Sequence, residues 1–363
     1  MYANINLNHS NILQVHTMMG HLKNRFDCAV YLLLIFCIVY IFTLDKNEPL
    51  LKFEKSHLDL APSETYNKSD YVDELEEGLA AAASNTNKTV IIAIVNKAYV
   101  EGDKPMLDLF LDGFWLGEGT RELVKNLLIV AMDQTSNERC KFLGLHCYKL
   151  ETEGVDFVGE KVYMSDDFIK MMWRRTLFLG DVLKRGYGFI FTDIDVLWLR
   201  NPFPYLTQQQ PHPDLQISTD NFGGNQWSEF HLINTGFYMI RSNNKTIALF
   251  DAWYANKDNS TGLKEQDVLQ KLMHQGLFRK LGLKVRFLDT MYFGGFCQDS
   301  RNVGVVATVH ANCCRSMAAK LADLTAVVHD WKRYKSSSAN ETSTFKWSYH
   351  KACRNSWRNV KNP

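Results

Sequence analysis

Phe189 to Arg200 reads FIFTDIDVLWLR, an apolar run ending in two carboxylates two residues apart. In an extended chain residues i and i+2 point to one face, so Asp193 and Asp195 project together and Ile194 faces the other way. Neighbouring carboxylates repel unless a cation or a shared proton neutralises them. Oxygen ligands of this kind suit a hard divalent ion, Mn²⁺ or Mg²⁺, beside a phosphate-bearing substrate. A bare Asp-x-Asp is also found as a surface turn. The apolar Phe-Ile-Phe before Thr192 and the Val-Leu-Trp-Leu-Arg-Asn-Pro after Asp195 argue for the metal pair. His310 follows a second apolar run, Val303 to Val309. A strand-end imidazole there either completes a metal shell or makes a structural hydrogen bond. Arg174 and Arg175 sit among Met171, Met172, Trp173 and Leu177. One of them can reach a diphosphate, whose oxygens a guanidinium matches bidentately; a structural salt bridge is the alternative. Asn96 and Asp133 close two earlier apolar runs and read as edges of a nucleotide pocket, with Thr192 beside the acidic pair.

Longer stretches carry a family likeness. MMWRRTLFLGDVLKRGYGFIFTDIDVLWLRNPFP, INTGFYMIRSN (Ile233 to Asn243), KEQDVL (Lys264 to Leu269), RFLDTMYFGGFC (Arg286 to Cys297) and TVHANCC (Thr308 to Cys314) occur in this order. Together they resemble the nucleotide-diphospho-sugar transferases of glycosyltransferase family 77, over most of residues 89 to 335. The resemblance implies a GT-A-like enzyme: a type II Golgi membrane protein that uses a UDP-sugar and usually Mn²⁺. It implies arabinosyl or xylosyl transfer to a cell-wall glycan or glycoprotein, with retention of anomeric configuration. It makes Asp193, Asp195 and His310 the metal group. Asn234, in Asn-Thr-Gly-Phe, resembles a sugar-contacting Asn-x-Gly block, although a turn Asn before a strand reads the same way. Gly236 would admit substrate close to the backbone. Glu265-Gln266-Asp267 stands where the family usually has Asp-Gln-Asp, under the donor sugar. Glu265 departs from that pattern by one methylene, and a polar helix N-terminus is the competing reading. Retaining transfer needs a carboxylate nucleophile or a same-face attack assisted by the leaving phosphate.

The elements that must position these residues are alternating strands and helices. Val90 to Val95, Leu127 to Met132 and Phe189 to Phe191 read as buried strands. Pro105 to Trp115, Thr120 to Asn126 and Asp166 to Leu183 read as helical. This order predicts an α/β fold, Rossmann-like, with a mixed, mostly parallel sheet flanked by helices. Ligands of such sheets bind beyond the C-terminal ends of strands, where Asp193 lies. Leu232 to Ile240 and Val303 to Val309 are expected to extend the same sheet.

The N-terminal region sets the expected compartment. Cys28 to Leu44 carries no charge over 17 residues. As a helix it would be roughly 25 Å long, a short membrane span. Lys23 and Arg25 precede it and favour a cytosolic N-terminus. A cleaved signal peptide and a buried core helix are the alternatives. The expected division is a cytosolic tail (1–27), a transmembrane signal anchor (28–44), a luminal stem (45–88) and a catalytic domain (89–363). A short helix within Tyr71 to Ala83 is compatible with the stem. Sequons at Asn67, Asn87, Asn244, Asn259 and Asn340 all follow the anchor. So do Cys140, Cys147, Cys297, Cys313, Cys314 and Cys353, whose pairing sequence leaves open among 15 possibilities. Disulfides are favoured over a zinc site built from Cys140, His146, Cys147 and a late cysteine, whose spacing matches no standard zinc motif.

Composition excludes other classes. With Lys plus Arg at 41 and Asp plus Glu at 40, no basic field exists to hold nucleic acid. At 46% hydrophobic and 22% charged, the chain is no disordered or fibrous protein. Two functions compete with the transferase. One is a phosphohydrolase of the haloacid dehalogenase type with Asp193 as nucleophile, although Leu197 stands where that motif has Thr or Val. The other is an anchored scaffold with a degenerate transferase fold.

Overall fold

The computed structural model describes residues 73–84, 88–151, 157–342 and 344–358. The expected tail (1–27), the expected anchor (28–44), most of the expected stem and the sequons at Asn67 and Asn87 lie outside the described residues. Among the described residues no helix is long and apolar enough to cross a membrane.

Helix α1 (Glu74–Ala82) comes first, capped by the Asp73 carboxylate, which accepts from the Leu75 N–H. Its Leu75, Leu79 and Ala82 are buried in the main core. The end of the stretch expected to be stem is therefore part of the globular domain. Strand β1 (Thr89–Val95) is buried at every residue but Ile94. Val90 and Ile92 pack into one core, Ile91 and Ala93 into a second. Strands β2 (Leu127–Ala131) and β4 (Gly188–Thr192) alternate in the same way, Leu128 and Phe189 on one face, Ile129 and Ile190 on the other. A strand covered on both faces needs such an unbroken apolar run.

Between β1 and β2 run α2 (Lys97–Val100), α3 (Met106–Leu116) and a 3₁₀ segment at Arg121–Asn126; α4 (Gln134–Phe142) and β3 (His146–Lys149) follow. The long α5 (Asp166–Lys184) leads into β4. Beyond β4 come β5 (Val196–Trp198), α6 (Phe203–Leu206), β6 (Leu215–Asn221), β7 (Leu232–Ile240), α7 (Asn244–Ala255), α8 (Glu265–His274), α9 (Leu277–Lys280) and β8 (Val285–Phe287). The chain closes with β9 (Phe293–Gly295), β10 (Thr308–His310), α10 (Met317–Ser336), α11 (Ala339–Thr342) and α12 (Lys351–Ser356).

The larger sheet has the order β3-β2-β1-β4-β7-β6-β8. Its β1–β2, β1–β4, β2–β3 and β6–β8 pairings are parallel, while β7 runs antiparallel to both β4 and β6. The α/β expectation of a mixed, mostly parallel sheet holds. The Val303 to Val309 run does not join it: residues 308–310 form β10 in a separate sheet of order β5-β10-β9. The six cysteines among the described residues pair as Cys140–Cys147, Cys297–Cys313 and Cys314–Cys353. The adjacent Cys313 and Cys314 bond to different partners, and the zinc alternative at Cys140 and Cys147 is replaced by a disulfide.

Candidate active site

Strand β4 ends at Thr192, and the chain turns at once, the Val196 N–H donating to the Asp193 carbonyl at 3.2 Å. The two acidic residues thus converge through a turn and not through an extended strand. Ile194 packs into the core beneath. The turn is pinned from β7, where the Gly236 carbonyl accepts from the Asp193 N–H at 2.6 Å. It is pinned again from the small sheet. Strand β10 runs antiparallel to β5 with His310 opposite Val196, and the Ala311 N–H donates to the Asp195 carbonyl at 3.0 Å. This register brings His310 Nε2 to 3.2 Å from Asp195 Oδ1 and 3.9 Å from Asp193 Oδ2. Asp193, Asp195 and His310 each offer a ligand atom within 4.8 Å of the others.

The remaining oxygens of the pair face cations. Arg175, from α5, donates through Nη1 to Asp193 Oδ1 at 2.8 Å and through Nη2 to Glu265 Oε1 at 2.5 Å. Its guanidinium lies over the Phe191 ring, 4.7 Å from the centroid. Lys320, from α10, puts Nζ 2.7 Å from Asp195 Oδ2. Burial favours the neutral carboxyl of Asp195, but Lys320 and His310 outweigh it and hold that group well below the usual carboxylate range. Asp193 goes the other way: burial, helped by the charge of Asp195, raises it despite Arg175. Burial also opposes the charged imidazole of His310, yet the charge of Asp195, its hydrogen bond and then Asp193 raise the His310 pKa above the ordinary value.

These groups line a cavity of about 240 Å³ together with Asn96, Asp220, Asn234, Glu265 and Gln266. Asn234 donates to Asp220 Oδ1 at 2.8 Å and accepts from the Gly236 N–H at 2.8 Å. Gln266 accepts from the Thr235 N–H at 3.0 Å, which ties the start of α8 to β7. Glu265 is 1% exposed, and its Oε2 lacks a hydrogen-bond partner. Gly236 is required by packing: a Cβ there would fall 2.3 Å from His310 Cε1 and 2.7 Å from Asp193 Oδ2. The close approach that this glycine permits is by those two side chains.

Other expected site residues lie elsewhere or are already committed. Asn96 lines the cavity, but its amide donates to the Phe157 and Gly159 carbonyls and its oxygen caps α2. Asp133 spends both oxygens on backbone N–H groups, those of Ser136 and Lys97, at the N-terminus of α4 and the start of α2, outside the cavity lining. Thr192 is fully buried under the turn, accepting from Trp198 Nε1 at 3.2 Å. Arg174 points away, donating to the Glu151 carbonyl at 2.8 Å. Asp267 follows Gln266 in the first turn of α8 but does not line the cavity; burial raises its pKa. Sequence reasoning missed Lys320 and Asp220. Asp220 accepts from Asn312 as well as Asn234 and so joins the β10 end to β7. The signal for Lys320 was weak: one basic residue in a long helical segment, far along the chain from the aspartate that it meets.

Comparisons with known proteins point to one family. The profile described as nucleotide-diphospho-sugar transferase matches residues 122–324. An uncharacterized protein of Arabidopsis thaliana is 58% identical over 295 residues, covering 80% of this chain and 86% of its own. A β-arabinofuranosyltransferase of the same plant is 26% identical over 235 residues, covering 60% of this chain and 41% of its own. Among solved structures, the galactosyltransferase LgtC in complex with donor and acceptor sugar analogues is 14% identical, with a TM-score of 0.38 over 64% of this chain and 94% of its own. With a transferase profile spanning the acidic turn and its Arg and Lys partners, and a relative so similar over most of the chain, this protein belongs to the nucleotide-diphospho-sugar transferase family and is a glycosyltransferase.

Proposed function

We propose that this glycosyltransferase moves a pentose, arabinose or xylose, from a UDP-sugar to a cell-wall glycan or glycoprotein with retention of configuration, and that it holds Mn²⁺ or Mg²⁺ at Asp193, Asp195 and His310. One observation carries the reading. Arg175 takes one oxygen of Asp193 and Lys320 one oxygen of Asp195, while the other two oxygens and the His310 imidazole face one another. Two carboxylate oxygens and an imidazole nitrogen fit such an ion. Bound there, the ion would neutralise charge on the diphosphate of the departing nucleotide. The protein's own groups do the rest. Arg175 and Lys320 fix the carboxylate rotamers, and Asn234 and Gln266, held by Asp220, Gly236 and Thr235, line the cavity where the sugar would lie. Glu265, locked to Arg175, serves to position that arginine. The β-arabinofuranosyltransferase relative supports the pentose. The phosphohydrolase and scaffold readings are not favoured, since Asp193 is ion-paired and the family is one of transferases.

The test uses the purified full-length chain. It should release UDP from UDP-arabinofuranose or UDP-xylose when Mn²⁺ is present and lose that release when the metal is chelated. Asp195→Ala should abolish it while the melting transition persists; undiminished UDP release in this variant refutes the metal assignment. Placement of the domain in the Golgi lumen, behind a single-pass type II anchor at 28–44, is part of the same proposal. Disulfides at Cys140–Cys147, Cys297–Cys313 and Cys314–Cys353 support it, since such bonds persist in oxidising compartments. Alkylation of the chain in intact cells should leave these cysteines unlabelled until reduction, and free labelling would overturn the placement.

A further inference from the structure

Between His310 and Lys320 the chain runs along the wall of the same cavity, and Arg315 lines it midway between them in sequence. Its place is built from several directions. Cys313 is bonded to Cys297 and Cys314 to Cys353, so the residues leading into Arg315 are held from two sides. The Arg315 N–H donates to Ser356 Oγ at 3.0 Å. The guanidinium stacks on Trp357, 3.9 Å from the ring centroid, with Tyr163 farther off at 5.9 Å. Trp357 is fixed in turn by donating from Nε1 to the Cys313 carbonyl at 2.6 Å.

Among the described residues Arg315 has no carboxylate in ion-pair contact, although Glu160 and Lys161 line a smaller recess with it. Arg175 is paired with Asp193 and Glu265, and Lys320 with Asp195. The Arg315 Nε is buried without a hydrogen-bond partner. Holding a partly desolvated guanidinium unpaired is costly unless a ligand completes it. Arg315 and Lys320 also share the smaller recess, which opens beside the main cavity. A planar fork of donors here matches phosphate oxygens bidentately.

We infer that Arg315, braced by Trp357 and the C-terminal helix α12, binds the diphosphate of the nucleotide sugar. This rests on the UDP-sugar reading above and makes the C-terminal segment part of the donor site. An anionic acceptor sugar would offer the same chemistry, so the test separates the two. Calorimetric titration of the full-length chain with UDP and with uridine gives the wild-type reference. Arg315→Ala should weaken UDP about tenfold to a hundredfold, the range for a hydrogen bond to a charged group, and leave uridine unchanged. Arg315→Lys should fall between, with both variants melting near the wild type. Wild-type UDP affinity in Arg315→Ala overturns the inference, and so does an equal loss of UDP and uridine, which would mean a collapsed pocket. A raised acceptor KM with UDP affinity intact overturns it by placing Arg315 at the acceptor. A wild-type chain that binds no UDP refutes the UDP-sugar reading first, and this inference with it.

Discussion

At Gly236 a single methyl group decides whether the acidic turn and the imidazole can meet. The space that a Cβ would need is held by His310 Cε1 and Asp193 Oδ2, and neither is the free end of a flexible chain. Asp193 is fixed by Arg175, and His310 is fixed by the pairing of β10 with β5. Gly236→Ala must therefore push the imidazole or the carboxylate aside. A displacement near 1 Å at reacting groups costs on the order of 100-fold in rate. The expected outcome is such a loss in kcat/KM for Mn²⁺-dependent UDP release, with UDP binding in the presence of Mn²⁺ weakened as well and uridine binding kept. Retention of wild-type rates in Gly236→Ala would show that the cluster is looser than its packing implies. How far these residues were legible depended on local context. Asp193 and Asp195 announce themselves by spacing at the end of an apolar run, and His310 by its place after another. Lys320 carries no such mark, because its role is created by a contact with Asp195 across a long stretch of chain. Arg174 and Arg175 are equivalent in sequence; only the rotation of α5 decides that Arg175 enters the cavity and Arg174 leaves it.

Among the elements, α1 tests where the domain begins. Its apolar signal is thin: Leu75, Leu79 and Ala82 among Glu74, Glu76, Glu77 and small residues. That dilution is why the segment reads as stem. In the fold Leu79 is 0% exposed and packs in the same core as Leu128 and Phe178. Leu79→Ala should then cost about 2–5 kcal/mol, as for other buried leucines truncated to alanine. Urea unfolding of the full-length chain measures this, and a change below about 0.5 kcal/mol, the level of an exposed site, would return α1 to the stem. The central strands were legible because burial on both faces demands uninterrupted apolar runs, as in VIIAIV and LLIVA. Direction and sheet membership were not. The run at Leu232 to Ile240 has the same apolar character whichever way β7 runs, and the three residues of β10 are too short to name their sheet. Yet it is the small sheet, through β10 on β5, that places His310 against Asp195.

Over the whole molecule, the C-terminal segment is joined to the cavity by one covalent bond, Cys314–Cys353, across a sequence separation of 39. Loop-closure entropy for that span is worth about 4 kcal/mol in the chain-entropy view, and measured losses for native disulfides run about 2–5 kcal/mol. Noncovalent contacts also hold α12. Asp323 accepts from the Cys353 N–H at 2.7 Å, and His350 stacks on Phe296 with ring centroids 3.7 Å apart. Cys353→Ser should therefore remain folded but lose about 2–4 kcal/mol in denaturant unfolding. Because Trp357 lies just beyond this tether and carries the Arg315 guanidinium, the same variant should bind UDP more weakly. Uridine binding should be spared, as in Arg315→Ala. A control separates the two effects: Cys140→Ser with Cys147→Ser opens a bond whose residues do not line the cavity. That double variant should lose stability while keeping UDP affinity. If both disulfide variants weaken UDP equally, the loss reflects general loosening of the fold, and the C-terminal segment has no special hold on the donor.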